Sequence, residues 1–342
     1  MPGSASATDV ARLINEAQVP GLSMAVIRNG SVETLTSAGV RNARDGTLVD
    51  EQTIFDAASL SKPVFAYAVL QLVDTGALAL DMPLARHVPD YVLDDARANA
   101  IAIRHVLSHS SGLPNWRSTD LPLKTYFPPG EHFSYSGEGF VWLQRVVEVI
   151  TGDAIDVVLR RLVFEPLKMR QSSFVWQSAF AANYADPHDA ALVPAGKTKP
   201  TTANTAASLQ TTARDYAHFL QAVLSGARLK PETAHLWLAP QMTLRRFCIQ
   251  CLEADMPDSD TQIAWGLGWG LEPQSETFFQ WGDNDRGRFK AFAMGSVQSG
   301  AAIVIFTNGL NGMSIMPDLV ERTLPGAHPA FHWLNYPRFR KA

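Results

Sequence analysis

Both ends of the chain read as sheet and the middle reads as helix, which restricts the possible folds more than any other feature of the sequence. Near the N-terminus, Leu22-Ser23-Met24-Ala25-Val26-Ile27 and Val32-Glu33-Thr34-Leu35 flank Arg28-Asn29-Gly30. Asn-Gly between β-favouring runs is the strongest short-range hairpin signal, because both residues tolerate positive φ. Near the C-terminus, strand character returns in Phe278-Phe279-Gln280-Trp281, in Phe289-Lys290-Ala291-Phe292-Ala293-Met294 and from Ala301 to Thr307, before the turn Asn308-Gly309. Between the ends the apolar spacing is helical over 64–78, 103–107, 139–150, 153–162, 213–224 and 231–238. A sheet built from both chain ends, with a helical block inserted between them, is the expected architecture. A length of 342 residues leaves room for two domains or for one with a large insertion.

Composition excludes several function classes. The chain is 46% hydrophobic and 18% charged, with a net charge of −4. That balance gives no electrostatic footprint for nucleic acid or an anionic membrane surface. The apolar runs fall far short of the ~20 residues that span a bilayer. Residues 1–8 have neither a charged segment nor an apolar core of a secretory signal, so the chain as given reads as cytoplasmic, or as periplasmic or secreted if it is a trimmed mature form. Cys248-Ile249-Gln250-Cys251 has redox or half-zinc spacing without the surrounding context, and two bystander thiols are expected. His105 and His109 have i, i+4 spacing but lack the glutamate of a zinc-binding His-Glu-x-x-His helix, so no metal is expected.

Three segments can carry chemistry. In Ser59-Leu60-Ser61-Lys62, positions three apart share one helix face, so the hydroxyl and the amine can meet. A serine is a poor nucleophile until a base takes its proton, and lysine is such a base only when neutral. The alternative is a capped helix start with Pro63 in its first turn. In Tyr135-Ser136-Gly137-Glu138-Gly139, a phenol near a lysine can relay protons; the alternative is a tyrosine packed where a helix begins. In Gln280-Trp281-Gly282-Asp283-Asn284, a glycine lets substrate lie against a strand edge, and a strand N–H can help form an oxyanion hole. The aromatics Trp116, Tyr126, Phe127 and Trp265 are candidates for an acyl pocket or for ordinary packing. No Gly-x-Ser-x-Gly elbow, phosphate-binding loop or dinucleotide fingerprint occurs.

Residues 55–63, Phe-Asp-Ala-Ala-Ser-Leu-Ser-Lys-Pro, resemble the first motif of the serine β-lactamase and penicillin-binding-protein superfamily. Residues 70–83, 103–114 (Ile-Arg-His-Val-Leu-Ser-His-Ser-Ser-Gly-Leu-Pro), 209–215 and 265–269 are similar to markers of its class C-like branch, in the family's order. The resemblance implies an α+β fold, an antiparallel β-sheet flanked by helices plus an inserted helical domain. Residues 1–62 and 255–342 would form the sheet domain and 63–254 the mainly helical one, with the active site in the groove between them. It implies Ser59 as the acylated nucleophile, Lys62 as its proton acceptor and Tyr135 as the proton relay. The backbone N–H groups of Ser59 and Asp283 would form the oxyanion hole, with Ser136, Gln280, Trp281 and Gly282 beside the substrate.

Two departures shape the expected substrate. Gly137 replaces the asparagine of the usual Tyr-x-Asn motif, and Gln280 stands where lysine or histidine usually opens the third motif. A cation there would attract a substrate carboxylate, and glutamine cannot. Trp281-Gly282-Asp283 also resembles the Trp-Gly-Gly form found in esterases of this superfamily. The expected activity is therefore cofactor-free hydrolysis of a small-molecule ester or amide, ester favoured. The competing readings are a β-lactamase or D-amino peptidase, a transacylase, and a non-catalytic binding domain with a decayed site.

Overall fold

The computed structural model describes residues 6–253, 257–284 and 286–340. Its strands are β1 (Gly21–Arg28), β2 (Ser31–Asn42), β3 (Thr47–Leu48), β4 (Phe55–Ala58), β5 (Leu209–Thr211), β6 (Met242–Thr243), β7 (Ala264–Trp265), β8 (Gly270–Glu272), β9 (Thr277–Asn284), β10 (Phe289–Ser296) and β11 (Ala301–Thr307). Its α-helices are α1 (Ala7–Glu16), α2 (Ser61–Asp74), α3 (Ile103–Leu107), α4 (Gly137–Thr151), α5 (Ile155–Leu159), α6 (Ala213–Ser225), α7 (Pro231–Trp237), α8 (Met316–Thr323) and α9 (Pro329–Trp333).

A nine-stranded antiparallel sheet runs in the order β3-β2-β1-β11-β10-β9-β8-β7-β6. The first long strand therefore lies beside the last, with Ala25 opposite Val304. The β1–β2 hairpin turns where the sequence indicates, with Asn29 at φ 50° and Gly30 at φ 71°. Along the central strands alternate side chains enter two cores, as the two-residue period of a strand requires. Ala25, Ile27, Val304 and Phe306 pack with α2 and α6 on one face. Met24, Val26, Ile303 and Ile305 pack on the other face with Val10 and Ile14 of α1, Leu319 and Val320 of α8, and Phe331 and Trp333 of α9. Because both faces are covered, β11 is buried along its whole length. Such a strand reads as an apolar run instead of an alternation.

Two expectations need correction. β6 comes from within residues 63–254 and pairs with β7, Met242 opposite Trp265, and α6 from the same span lies against β1 and β11. A two-residue strand has no periodicity to read; its pairing partner defines it. Cys248 and Cys251 are not separate thiols but are joined in a disulfide. The turn of this segment brings their Cα atoms to 5.5 Å, inside the range a bridge requires. Among the described residues no helix is long and apolar enough to cross a membrane.

Candidate active site

Ser59 occupies the tight link between β4 and α2. β4 pairs with β5, Phe55 opposite Thr211, and Ala58 takes φ 49°, a left-handed conformation that turns the chain sharply ahead of the serine. Asp56 holds this turn by accepting the Ala58 N–H at 2.8 Å. Ser61 locks the start of α2, donating to the Ala58 carbonyl at 2.5 Å and accepting from Leu209 N–H at 3.0 Å. The Ser59 N–H makes no hydrogen bond among the described residues, so it is free to serve a ligand. One helical turn on, the Lys62 amine lies 3.1 Å from Ser59 Oγ and donates to the Ala206 carbonyl at 2.8 Å.

Tyr135 stands at the start of α4, where its ring lies 4.6 Å from the Lys62 amine. His109 stacks on that ring at 4.1 Å, and its Nδ1 accepts the Ser136 N–H at 3.0 Å. The backbone N–H of Tyr135 donates to the Ile249 carbonyl at 2.8 Å, within the turn that the disulfide closes. Ser136 is committed to architecture: its hydroxyl caps α4 by accepting the Gly139 N–H at 3.1 Å and donates to the Pro114 carbonyl at 2.8 Å. Its hydroxyl is thus already occupied by the local fold, as a helix N-cap requires.

β9 forms the opposite side. The Gln280 amide donates to Tyr135 Oη at 2.9 Å and lies 3.3 Å from the Ser59 carbonyl, while its Oε1 is buried without a partner. Trp281 packs against Tyr135 at 4.8 Å. Gly282 is where the strand passes closest to the nucleophile turn: a Cβ there would lie 2.6 Å from the Ala57 carbonyl oxygen and 3.2 Å from Ser59 N. The Asp283 side chain pairs with Lys290 at 2.5 Å, leaving its backbone as the part available to a substrate. Asn284 ties the site together, donating to Asp56 at 2.9 Å and to the Ala207 carbonyl at 2.9 Å.

Electrostatics follow from burial. Lys62 is 1% exposed and no carboxylate pairs with it among the described residues, so burial pushes its pKa from 10.5 down to about 7. Burial raises the Tyr135 phenol well above its ordinary value, opposed by hydrogen bonds to Ser59 and Gln280. His109 is held neutral, first by burial and then by the Lys62 charge. The neutral amine, not a phenolate, is therefore the base that this arrangement supplies near pH 7.

The structure brings Ser59, Lys62, Tyr135, Gln280, Trp281, Gly282 and Asp283 together, and adds groups the sequence reading missed. The Ala206 carbonyl, Asp56, Asn284 and the Ile249 carbonyl all hold catalytic candidates in place. Tyr336 also lies close enough for the charges of Asp283 and Tyr135 to raise its phenol, beyond the effect of burial. Asp56 and Asn284 were within reach of a sequence argument, since each adjoins a motif; backbone carbonyls carry no residue signature. No group of three or more His, Cys, Asp or Glu side chains suited to a metal occurs among the described residues.

A serine whose hydroxyl meets a buried, uncompensated lysine beside a tyrosine, at the junction of a helix and a sheet strand, defines the class as serine hydrolase. The sequence profile of the Beta-lactamase family matches residues 7–324, and the chain belongs to that family. It is 29% identical over 334 residues to penicillin-binding protein 4 of Amycolatopsis lactamdurans, covering 91% of this chain and 87% of that protein. It is 33% identical over 207 residues to esterase EstB of Burkholderia gladioli, a match spanning 51% of this chain and 52% of the esterase. Two solved structures share the fold. The octameric penicillin-binding protein homologue from Pyrococcus abyssi has a TM-score of 0.74 at 19% identity, covering 98% of this chain and 78% of that one. The D-alanine carboxypeptidase AmpC from Burkholderia cenocepacia has a TM-score of 0.70 at 16% identity, covering 88% and 91%.

Proposed function

We propose that the protein hydrolyses small carboxylic esters through an acyl-enzyme on Ser59, in a groove between a sheet domain built mainly from 1–62 and 255–342, with β6 added to its edge, and the mainly helical remainder of 63–254. The observation that carries this reading is the Lys62 amine, 3.1 Å from Ser59 Oγ, buried without a counter-charge and held near neutrality. Neutral Lys62 takes the Ser59 proton as Oγ attacks the ester carbonyl. The Ser59 and Asp283 N–H groups receive the charge that develops on the carbonyl oxygen. Tyr135, linked to Ser59 and to the Gln280 amide, passes a proton to the departing alkoxide and recovers one from the Lys62 ammonium. Water then attacks the acyl-enzyme, its proton returning through the same pair and Ser59 leaving as the free hydroxyl.

Ester preference follows from β9. The third motif offers a neutral amide, and Gln280 shares its two N–H donors among Tyr135 Oη, the Trp281 carbonyl and the more distant Ser59 carbonyl. Nothing at that position attracts a carboxylate, which a β-lactam or a D-peptide carries. The similarity to an esterase and to a penicillin-binding protein keeps both chemistries within the family's reach.

Comparing short p-nitrophenyl esters with a chromogenic cephalosporin tests the reading. Faster ester turnover, with a fluorophosphonate adduct on Ser59 by intact mass, is expected. Faster cephalosporin turnover overturns the ester preference, and the absence of any adduct after prolonged exposure favours a non-catalytic binding domain.

A further inference from the structure

The chain contains eight tryptophans. Seven of them, Trp142, Trp176, Trp237, Trp265, Trp269, Trp281 and Trp333, each pack against another aromatic ring. Trp116 makes no ring or cation contact among the described residues and is 42% exposed, more than any other tryptophan. Covering this flat apolar face with another apolar group is favourable.

Its position explains what that covering is for. The six-membered edge of the indole fills the space in front of Gly137: a Cβ on that residue would lie 2.7 Å from Cη2, 2.8 Å from Cζ2 and 3.0 Å from Cζ3 of Trp116. Gly137 is two residues from Tyr135. Trp116 also lines a cavity of about 400 Å³ together with Asp90, Tyr91, Arg117, Glu138, Arg145 and Asn204. Asn204 in turn precedes by two residues the Ala206 carbonyl that holds Lys62. Glu138 and Asn204 of the lining thus stand three and two residues along the chain from Tyr135 and Ala206, which contact the Lys62 amine. Of the charges that line it, Arg117 pairs with Glu138 at 2.6 Å and Arg145 lies over the Tyr91 ring at 5.3 Å; Asp90 completes the charged lining, and the Trp116 indole is its aromatic face without a ring or cation partner among the described residues.

We propose that Trp116 is a specificity-determining residue that stacks on a planar aromatic group of the substrate, so that the protein selects esters carrying an aromatic ring beside the scissile bond. The proposal rests on the ester reading and names the substrate class within it. The ring belongs either to the acyl group or to the alcohol. Gly137 makes the arrangement possible, since any side chain there would push the indole aside.

The test uses matched pairs in which a phenyl ring is replaced by cyclohexyl, equal in carbon number but not flat. p-Nitrophenyl phenylacetate against the cyclohexylacetate reads the acyl arm, and benzyl acetate against cyclohexylmethyl acetate reads the alcohol arm. One arm is expected to show a roughly 3- to 10-fold higher kcat/KM for the aromatic member, the added attraction of an aromatic pair. Trp116→Phe should keep that ratio, whereas Trp116→Ala and Gly137→Ala should bring it towards one. To separate this from the ester reading itself, dissociation constants of phenylacetamide and cyclohexylacetamide are measured on Ser59→Ala, with N-benzylacetamide and N-(cyclohexylmethyl)acetamide for the alcohol arm. Tighter aromatic binding that disappears with Trp116→Ala supports the proposal even if esters are not turned over. Equal ratios in both kinetic arms and in both binding pairs, or a ratio that survives Trp116→Ala, overturn it while leaving ester hydrolysis intact.

Discussion

The helix-borne side of the site and its strand-borne side place their residues by different means. On the helical side, Ser59 and Lys62 meet because three residues make nearly one turn of α2, and the contact is inherent in the local chain. On the strand side, Gln280 reaches Tyr135 across 145 residues of sequence, and only the register of β9 in the sheet brings it there. The first side keeps the Ser-x-x-Lys spacing of the superfamily and departs from its motifs at Gly137. The second departs from them at the position that would meet a substrate's charge. A contact between neighbours in sequence is fixed by local helix geometry, whereas a contact between distant segments depends on the whole sheet being in register.

The comparison can be broken most severely on the helical side. Ser59→Ala is expected to reduce kcat by about 10⁴-fold or more, the scale on which removal of a nucleophile acts; ester turnover surviving near the wild-type rate would show that the reacting groups lie elsewhere. On the strand side, Gly282→Ala should lower kcat by roughly 10²-fold, because the new methyl presses on the Ala57 carbonyl and the Ser59 N–H, disturbing an oxyanion donor. Stopped assays on a slow ester suffice to measure both.

A smaller change sharpens the difference in recognition. Gln280→His should raise kcat/KM for carboxylate-bearing esters about tenfold relative to neutral ones, the worth of one charge-assisted hydrogen bond. An unchanged ratio would mean that the strand side does not read substrate charge.

Two further outcomes follow from Lys62. Since the amine acts as base only when deprotonated, kcat/KM should rise with pH through about 7 and then level off. The same residue should limit stability. Its pKa is 10.5 ordinarily and about 7 when folded, so the unfolded chain binds the extra proton between these values and stability rises with pH across that window. Lys62→Met should therefore raise the denaturant midpoint most at pH 7 and below, by the equivalent of ~4–5 kcal/mol at most, with the gap closing towards pH 10.5. A gap independent of pH would contradict the assigned burial effect.

The smallest expected effect concerns the support behind Tyr135. A dithiol that takes over the Cys248–Cys251 disulfide releases the turn whose Ile249 carbonyl accepts the Tyr135 N–H. A roughly threefold fall in kcat is expected, on the order of one backbone hydrogen bond, and reoxidation should restore it.

Legibility in the sequence followed the same division. The β1–β2 hairpin, the long strands at the C-terminal end and the Ser59–Lys62 spacing are short-range patterns, and each appears in the structure with its boundaries shifted by a few residues. α2 begins at Ser61 and not Val64 because its first turn is fixed by the Ser61 hydroxyl, a contact that periodicity does not reveal. β4, β5 and β6 are too short to carry a period. Ser136 was assigned to the substrate side from its motif, but helix capping uses its hydroxyl. In the sequence Trp116 is one of several loop aromatics; only the fold shows that Gly137 leaves the place open for its indole.

The adjacency of β1 and β11 has a consequence for biosynthesis. The serine is made within the first fifth of the chain, yet the sheet that supports β9 closes only when residues 301–307 pair with residues 22–27. Contacts so distant in sequence form late and slowly. A chain that ends before residue 301 therefore lacks the partner of the β1 edge, which is left exposed and unpaired.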